Sequence, residues 1–161
     1  MRSIAVITVD GVLRDASTSG YIALGQRLYL SLAEHWRLAL IADEPIEAIW
    51  LAVNGFSAHQ TLVQRQPEDP GDNPIRRIRQ VERLRAMGAD VGLLVDPDPA
   101  VVAAVSRMGV PCLLYVDPPF ARPEWRPDYW EIVTPWSEMV AELDRTRALR
   151  AADTRYLEDP L

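Results

Sequence analysis

Four carboxylates in this chain occupy one kind of position. Asp10, Asp43, Asp96 and Asp117 each directly follow a short apolar run: IAVITV, LALIA, VGLLV and CLLYV in turn. A carboxylate at the end of a strand can attack an electrophile, exchange a proton or hold a divalent cation. Several of them gathered within a few ångströms repel one another unless a cation, an arginine or a proton neutralises the charge. The pattern therefore predicts an edge that either binds something positive or is closed over by arginines. Asp10 and Asp96 are the leading candidates for chemistry. Asp98, next to Pro99, reads first as a helix N-cap. Asp43 could equally cap a helix entered through Pro45, and Asp117, ahead of two prolines, could equally serve a turn.

These acids need strands to carry them. The four runs are continuously apolar rather than alternating, which suits parallel strands covered on both faces. A weaker fifth run is QTLVQ, at 60–64. Helix-like segments lie between them at 22–36, 46–53, 74–87 and 100–108. The first carries Leu24, Leu28, Leu32 and Trp36 at four-residue spacing, and the third places Ile75, Ile78, Val81 and Leu84 on one stripe. Asn73-Pro74, Asp98-Pro99 and Thr134-Pro135 each pair an N-cap residue with proline at the first helical position, while Gly88 and Gly109 stand where C-caps are expected. The alternation predicts an α/β unit: a three-layer, Rossmann-like, mostly parallel sheet with helices on both faces. The carboxyl ends of its strands then share one edge, where ligands bind at the switch in strand order.

Composition narrows the functional classes. The chain has 161 residues, enough for one well-buried unit, and no run of about 18 apolar residues that would span a membrane. MRSIAVITVDG reads as a first strand rather than a signal peptide. A single cysteine, Cys112, excludes an internal disulfide framework, offers no zinc spacing and implies a cytoplasmic setting. The net charge of −6 argues against nucleic acid as the main partner. Every basic residue is arginine, so any mechanism that needs a lysine ammonium is ruled out.

The strand leading into VDGVL, the second strand ending in LIAD, and VGLLVDPDPAVVAAVSRMGVPCLLY together resemble the haloacid dehalogenase-like (HAD) superfamily of phosphohydrolases. The resemblance covers about Ile4 to Val116, and phage-type relatives include the phosphatase domains of polynucleotide kinases. It implies a Rossmann-like domain at 1–118 and a magnesium-dependent aspartyl-phosphate reaction. That reaction needs a nucleophilic Asp, a second Asp two residues on as acid/base, a Thr or Ser after the second strand, a Lys, and metal-holding acids in the fourth motif. Asp10 falls on the acid/base position, and Asp96, Asp10 and, less directly, Asp98 on metal positions. Thr8 stands where the nucleophile belongs, Ala42 where the Thr or Ser belongs and Pro97 beside the first metal acid; the lysine is missing. A threonine hydroxyl is a poor nucleophile without an adjacent base and adds no charge to a magnesium shell. Arg76 or Arg77 could supply positive charge, but a guanidinium fork is not a compact ammonium.

Other features have plainer readings. Arg76, Arg77, Arg79, Arg83 and Arg85 crowd one helix; they read first as a solvated flank paired with Glu82, and second as a phosphate-binding face at Arg76 and Arg77. Residues 11–21 fit the small flap of the resembled family, too short for a cap domain. His35 and His59 have no companion at metal spacing and read as structural. The stretch at 119–161 is an extended arm and terminal helix. Its Trp125, Tyr129, Trp130 and Trp136, interleaved with Pro and Arg, have the composition of a protein interface or of an arm folded on its own sheet. The sequence thus favours a catalytically degenerate HAD-like module that binds a protein partner or itself through residues 119–150, in a cytoplasm or a phage particle. The alternative is a magnesium-dependent phosphatase or nucleotidase of altered mechanism built on Asp10 and Asp96.

Overall fold

The computed structural model describes residues 3–15, 17–116 and 145. Its elements run β1 (Ile4–Thr8), α1 (Ala23–Ala33), β2 (Arg37–Ala42), α2 (Ala48–Val53), β3 (His59–Gln64), α3 (Asn73–Ala86), β4 (Val91–Asp96), α4 (Pro99–Ser106) and β5 (Cys112–Leu114). All neighbouring strands pair in parallel, in the order β3-β2-β1-β4-β5. The expected α/β architecture is therefore present, and the weak fifth run is the edge strand β3. The strand order reverses at β1, so the crevice for a ligand lies beyond the carboxyl ends of β1 and β4.

Continuous apolar strands follow from burial on both sides. In β1, Ala5 and Ile7 join Leu38 and Leu40 beneath Tyr29 of α1 and Leu51 of α2. Ile4 and Val6 point the other way, joining Ala39, Ile41 and Leu94 against Val81 and Leu84 of α3 and Val101 and Val105 of α4. Each such aliphatic side chain removed from water contributes about 1.5–3 kcal/mol. Phe56 locks the first layer, with Tyr29 edge-on at 5.1 Å and Trp50 stacked at 5.6 Å.

Two helices keep most of the expected stripe and bury further positions beside it: Leu28, Leu32 and Trp36 pack on one core layer, and Ile78, Val81 and Leu84 on the other. In α1 the buried positions are Gly25 and Tyr29, and Leu24 is exposed. The cause is a close approach: a Cβ at Gly25 would lie 1.7 Å from the Val12 carbonyl oxygen, so the helix meets the chain after β1 through a glycine. In α3 the buried set is Arg76, Arg77, Gln80, Val81 and Leu84, with Ile75 exposed. Its first turn is rotated by polar partners at the sheet edge, and the solvated-flank reading fails for Arg76 and Arg77. The N-cap of α3 is Asp72, one residue earlier than expected, its side chain accepting from the Ile75 N–H at 3.3 Å. Asp98 caps α4 as expected, accepting from the Ala100 N–H at 2.8 Å. Asp117, Thr134-Pro135, Trp125, Tyr129, Trp130 and Trp136 lie outside the described residues.

Candidate functional site: an arginine-closed carboxylate rim

Thr8 is the last residue of β1, and its neighbour across the strand-order switch is the end of β4. Both side chains are buried, Thr8 at 1% exposure and Asp96 at 0%. The Thr8 hydroxyl donates to Asp96 Oδ2 at 2.6 Å, and the Asp98 N–H donates to Asp96 Oδ1 at 2.8 Å. A third donor arrives from α3: Arg77 Nε reaches Asp96 Oδ2 at 2.9 Å. Both carboxylate oxygens are thereby engaged.

Arg77 goes further. Its Nη1 and Nη2 form a fork onto Asp43 at 3.2 and 2.9 Å, and Nη1 also donates to Gln80 Oε1 at 2.6 Å. The guanidinium is 1% exposed and sits in a cage of acceptors from β4, α3 and the turn after β2. Arg76 approaches the same Asp43 through Nε at 3.0 Å, while its Nη1 and Nη2 donate to the Gly71 carbonyl and Asn73 Oδ1 at 2.9 and 2.8 Å. Asp43, left open between a cap and a functional acid, is thus an acid between two arginines; α2 starts later, after Glu47. Asn73 Nδ2 donates to Asp98 Oδ2 at 2.5 Å, tying the start of α3 to that of α4.

Asp10 is held separately. Gly11, at φ +86°, turns the chain sharply, and the flap brings Arg14 back onto Asp10 Oδ1 through Nε at 2.9 Å and Nη2 at 2.6 Å. Asp10 Oδ2 accepts from the Asp43 and Glu44 N–H groups at 3.0 and 3.3 Å. Arg14 also donates to the Pro45 carbonyl at 3.1 Å and lies 6.0 Å from the Trp50 ring. Ala42, fully buried at the end of β2, offers no hydroxyl. Asp10, Thr8, Asp43, Asp96 and Asp98 therefore share one rim, and three arginines close it.

Charge settles differently along this rim. Burial pushes the Asp43 carboxyl up, but Arg77 and Arg76 outweigh it and hold it below the ordinary carboxylate range. Complete burial pushes Asp96 up, against the pull of Arg77 and the Thr8 hydroxyl. Burial weakens the Arg77 cation, yet Asp96 and Asp43 more than restore it, so it stays charged.

Magnesium, which the resemblance implies, asks for several hard anionic oxygens in near-octahedral array. Here the oxygens of Asp96 and Asp10 are already filled by N–H and O–H donors, and Arg77 lies between Asp96 and Asp43. The donor set does not fit the ion. Among the described residues no group of three or more His, Cys, Asp or Glu side chains could hold a metal.

Arg14 went unnoticed among the candidate residues. Its only sequence signal was the Asp10-x-x-x-Arg14 spacing, which carries meaning only once a turn brings the two together. Gln80 was missed as well, although Arg77, Gln80, Val81 and Leu84 fall at the spacing of a single helical face. His59 Nδ1 lies 2.7 Å from the Phe56 carbonyl, and Cys112 is half-buried, its thiol pushed up by burial.

No family model matches the chain, and no curated protein does. Among solved structures, a chain of the Pnkp1/Rnl/Hen1 RNA repair complex superposes with a TM-score of 0.56 at 17% identity. The match takes in 71% of this chain and 42% of that one, so this chain spans less than half of the neighbour's length. At such identity the likeness is one of fold. No helix among the described residues is long and apolar enough to cross a membrane.

Proposed function

We propose that this chain is a catalytically degenerate HAD-like domain that works as a binding or structural module. The observation that supports it is the saturation of the rim: Asp96 is filled by Thr8, Arg77 and the Asp98 amide, and Asp10 by Arg14 and two amides. A general acid needs a proton to give and a metal ligand a lone pair open to the ion, here faced by guanidinium hydrogens, and a threonine turned inward to donate cannot attack phosphorus. The sequence resemblance to HAD phosphohydrolases and the likeness in fold to a chain of an RNA repair complex both support a related domain. Residues 119–150, with Trp125, Tyr129, Trp130 and Trp136, are the docking segment of this reading, toward a protein partner, a second copy or a larger assembly such as a phage particle.

The test is direct. A panel of phosphomonoesters and nucleotides, incubated with magnesium or manganese, should show no turnover above the buffer rate. Turnover that disappears in Asp10→Asn would replace this reading with the altered-mechanism phosphatase. Binding of a phosphorylated ligand at Arg76 and Arg77 would require both guanidinium groups to leave Asp43. Truncation after Val116 should abolish self-association or partner binding, measured by sedimentation; unchanged association would remove the arm from the proposal.

A further inference from the structure

Arg77 is unusual in its completeness. Four acceptor oxygens surround one guanidinium: Asp96 Oδ2, both oxygens of Asp43 and Gln80 Oε1, at 2.6–3.2 Å. They come from β4, from the turn after β2 and from α3, three parts of the chain whose carboxylates would otherwise repel across a buried space. Gln80 is itself fully buried, and its Nε2 has no hydrogen-bond partner, so the amide oxygen is turned to the cation at the expense of its own donor. An unpaired buried donor is costly, and it is tolerated here where the same amide supplies an oxygen to a positive charge.

We propose that Arg77 is an internal counter-cation, occupying the place of a soluble cation between Asp43 and Asp96, and that removing its side chain leaves a divalent-cation site made of Asp43, Asp96 and Gln80. This rests on the reading of the rim as one without its own magnesium. Shortening Arg77 to alanine vacates the volume of a guanidinium and most of its stem. It leaves two carboxylates and one amide oxygen facing that volume, with Arg76 still on the outer side of Asp43. Hard oxygens with a net negative charge favour magnesium, manganese or calcium over monovalent ions. With Arg77 present, its positive charge repels any such ion and its hydrogens hold every oxygen an ion would need.

The experiment is thermal unfolding of the full chain and of Arg77→Ala, each with EDTA or with a series of magnesium, manganese or calcium concentrations. The wild type should be indifferent to all of them. Arg77→Ala should unfold roughly 10 °C or more lower in EDTA, the scale for breaking a buried ion pair. Its midpoint should then climb with the logarithm of divalent-cation concentration, as linkage requires. Asp43→Asn combined with Arg77→Ala should lose most of that climb. Arg77→Gln, which is shorter, removes the charge and vacates the guanidinium position while keeping a polar head, serves as the second variant if alanine does not fold. A cation response in Arg77→Gln alone would support the proposal.

Three results overturn it: a wild type stabilised by divalent cations, variants that fold but ignore them, or variants that fail to refold even with magnesium. Phosphatase turnover by the wild type would defeat the degenerate-module reading. An inert wild type whose variants ignore cations would defeat this inference alone.

Discussion

Two arginines close the same rim in different ways. Arg14 reaches Asp10 from four residues away, across a glycine turn, and both side chains keep about a tenth of their surface in solvent. Arg77 reaches Asp96 across 19 residues and Asp43 across 34, and its guanidinium is sealed from water. The first pair is a local latch on the flap. The second is a keystone through which β2, α3 and β4 share one charge. Burial raises the consequence of losing a partner, because a stranded charge in the interior has no water to turn to. The keystone should therefore carry stability, and the latch chiefly the position of the flap.

Substitutions can break this comparison, beginning with the largest. Asp96→Ala strips the keystone of its inner carboxylate and leaves Thr8 and the Asp98 amide without an acceptor. Urea unfolding should show a loss of about 3–5 kcal/mol, as for other broken buried pairs. A loss under 1 kcal/mol would mean that Asp43 alone satisfies Arg77. Gly25→Ala attacks the other side through packing: the new Cβ meets the Val12 carbonyl and must push the flap outward. Overpacking of this kind costs about 1–3 kcal/mol. Amide exchange should concentrate the disturbance in residues 11–15.

Arg14→Met tests the latch itself. Hydrogen bonds to a charged group contribute about 1.5–3 kcal/mol, and here two backbone amides remain on Asp10, so the lower end is expected. Equal losses for Arg14→Met and Asp96→Ala in the same denaturant series would erase the distinction between latch and keystone.

The finest test is pH. Asp43 in the folded chain titrates below its ordinary 3.8, so on acidification the unfolded chain takes up that proton first. The stability it contributes is complete above the unfolded value and is lost as pH falls toward the folded one. Asp96 works in the opposite sense, because its raised pKa lets the folded chain take up its proton first. Asp43→Asn should consequently flatten the acid limb of stability, read from urea midpoints between about pH 5 and pH 3. A steeper limb in the variant would contradict the assigned direction.

Much of this architecture was legible from residue order. The apolar runs, their terminal acids and the Asp98-Pro99 cap are local patterns, and local patterns are properties of a few neighbouring residues. Strand ends were less sharp: β5 stops at Leu114, two residues short of the apolar run, and β4 takes in Asp96 itself. The inward face of α3 was legible only in part: Ile78, Val81 and Leu84 pack on the core as expected, while in the first turn Arg76 and Arg77 compete with Ile75 for the inward side and win it. That competition is decided by acids on other elements, Asp43 and Asp96, whose placement no window along the helix contains.

By itself, then, the chain determined that carboxylates end its strands, that a threonine, Thr8, stands two residues before Asp10, and that no lysine can serve the site. Covalent order and side-chain identity suffice for each of these. Only the folded structure decided which charges meet. Thr8 and Asp96 are separated by 88 residues, and Arg77 and Asp43 by 34, so their contacts exist only once parallel pairing and helix rotation bring those side chains to one edge. There, low solvent access makes each buried carboxylate take the nearest donors. The donors within reach are an arginine, a hydroxyl and a backbone amide.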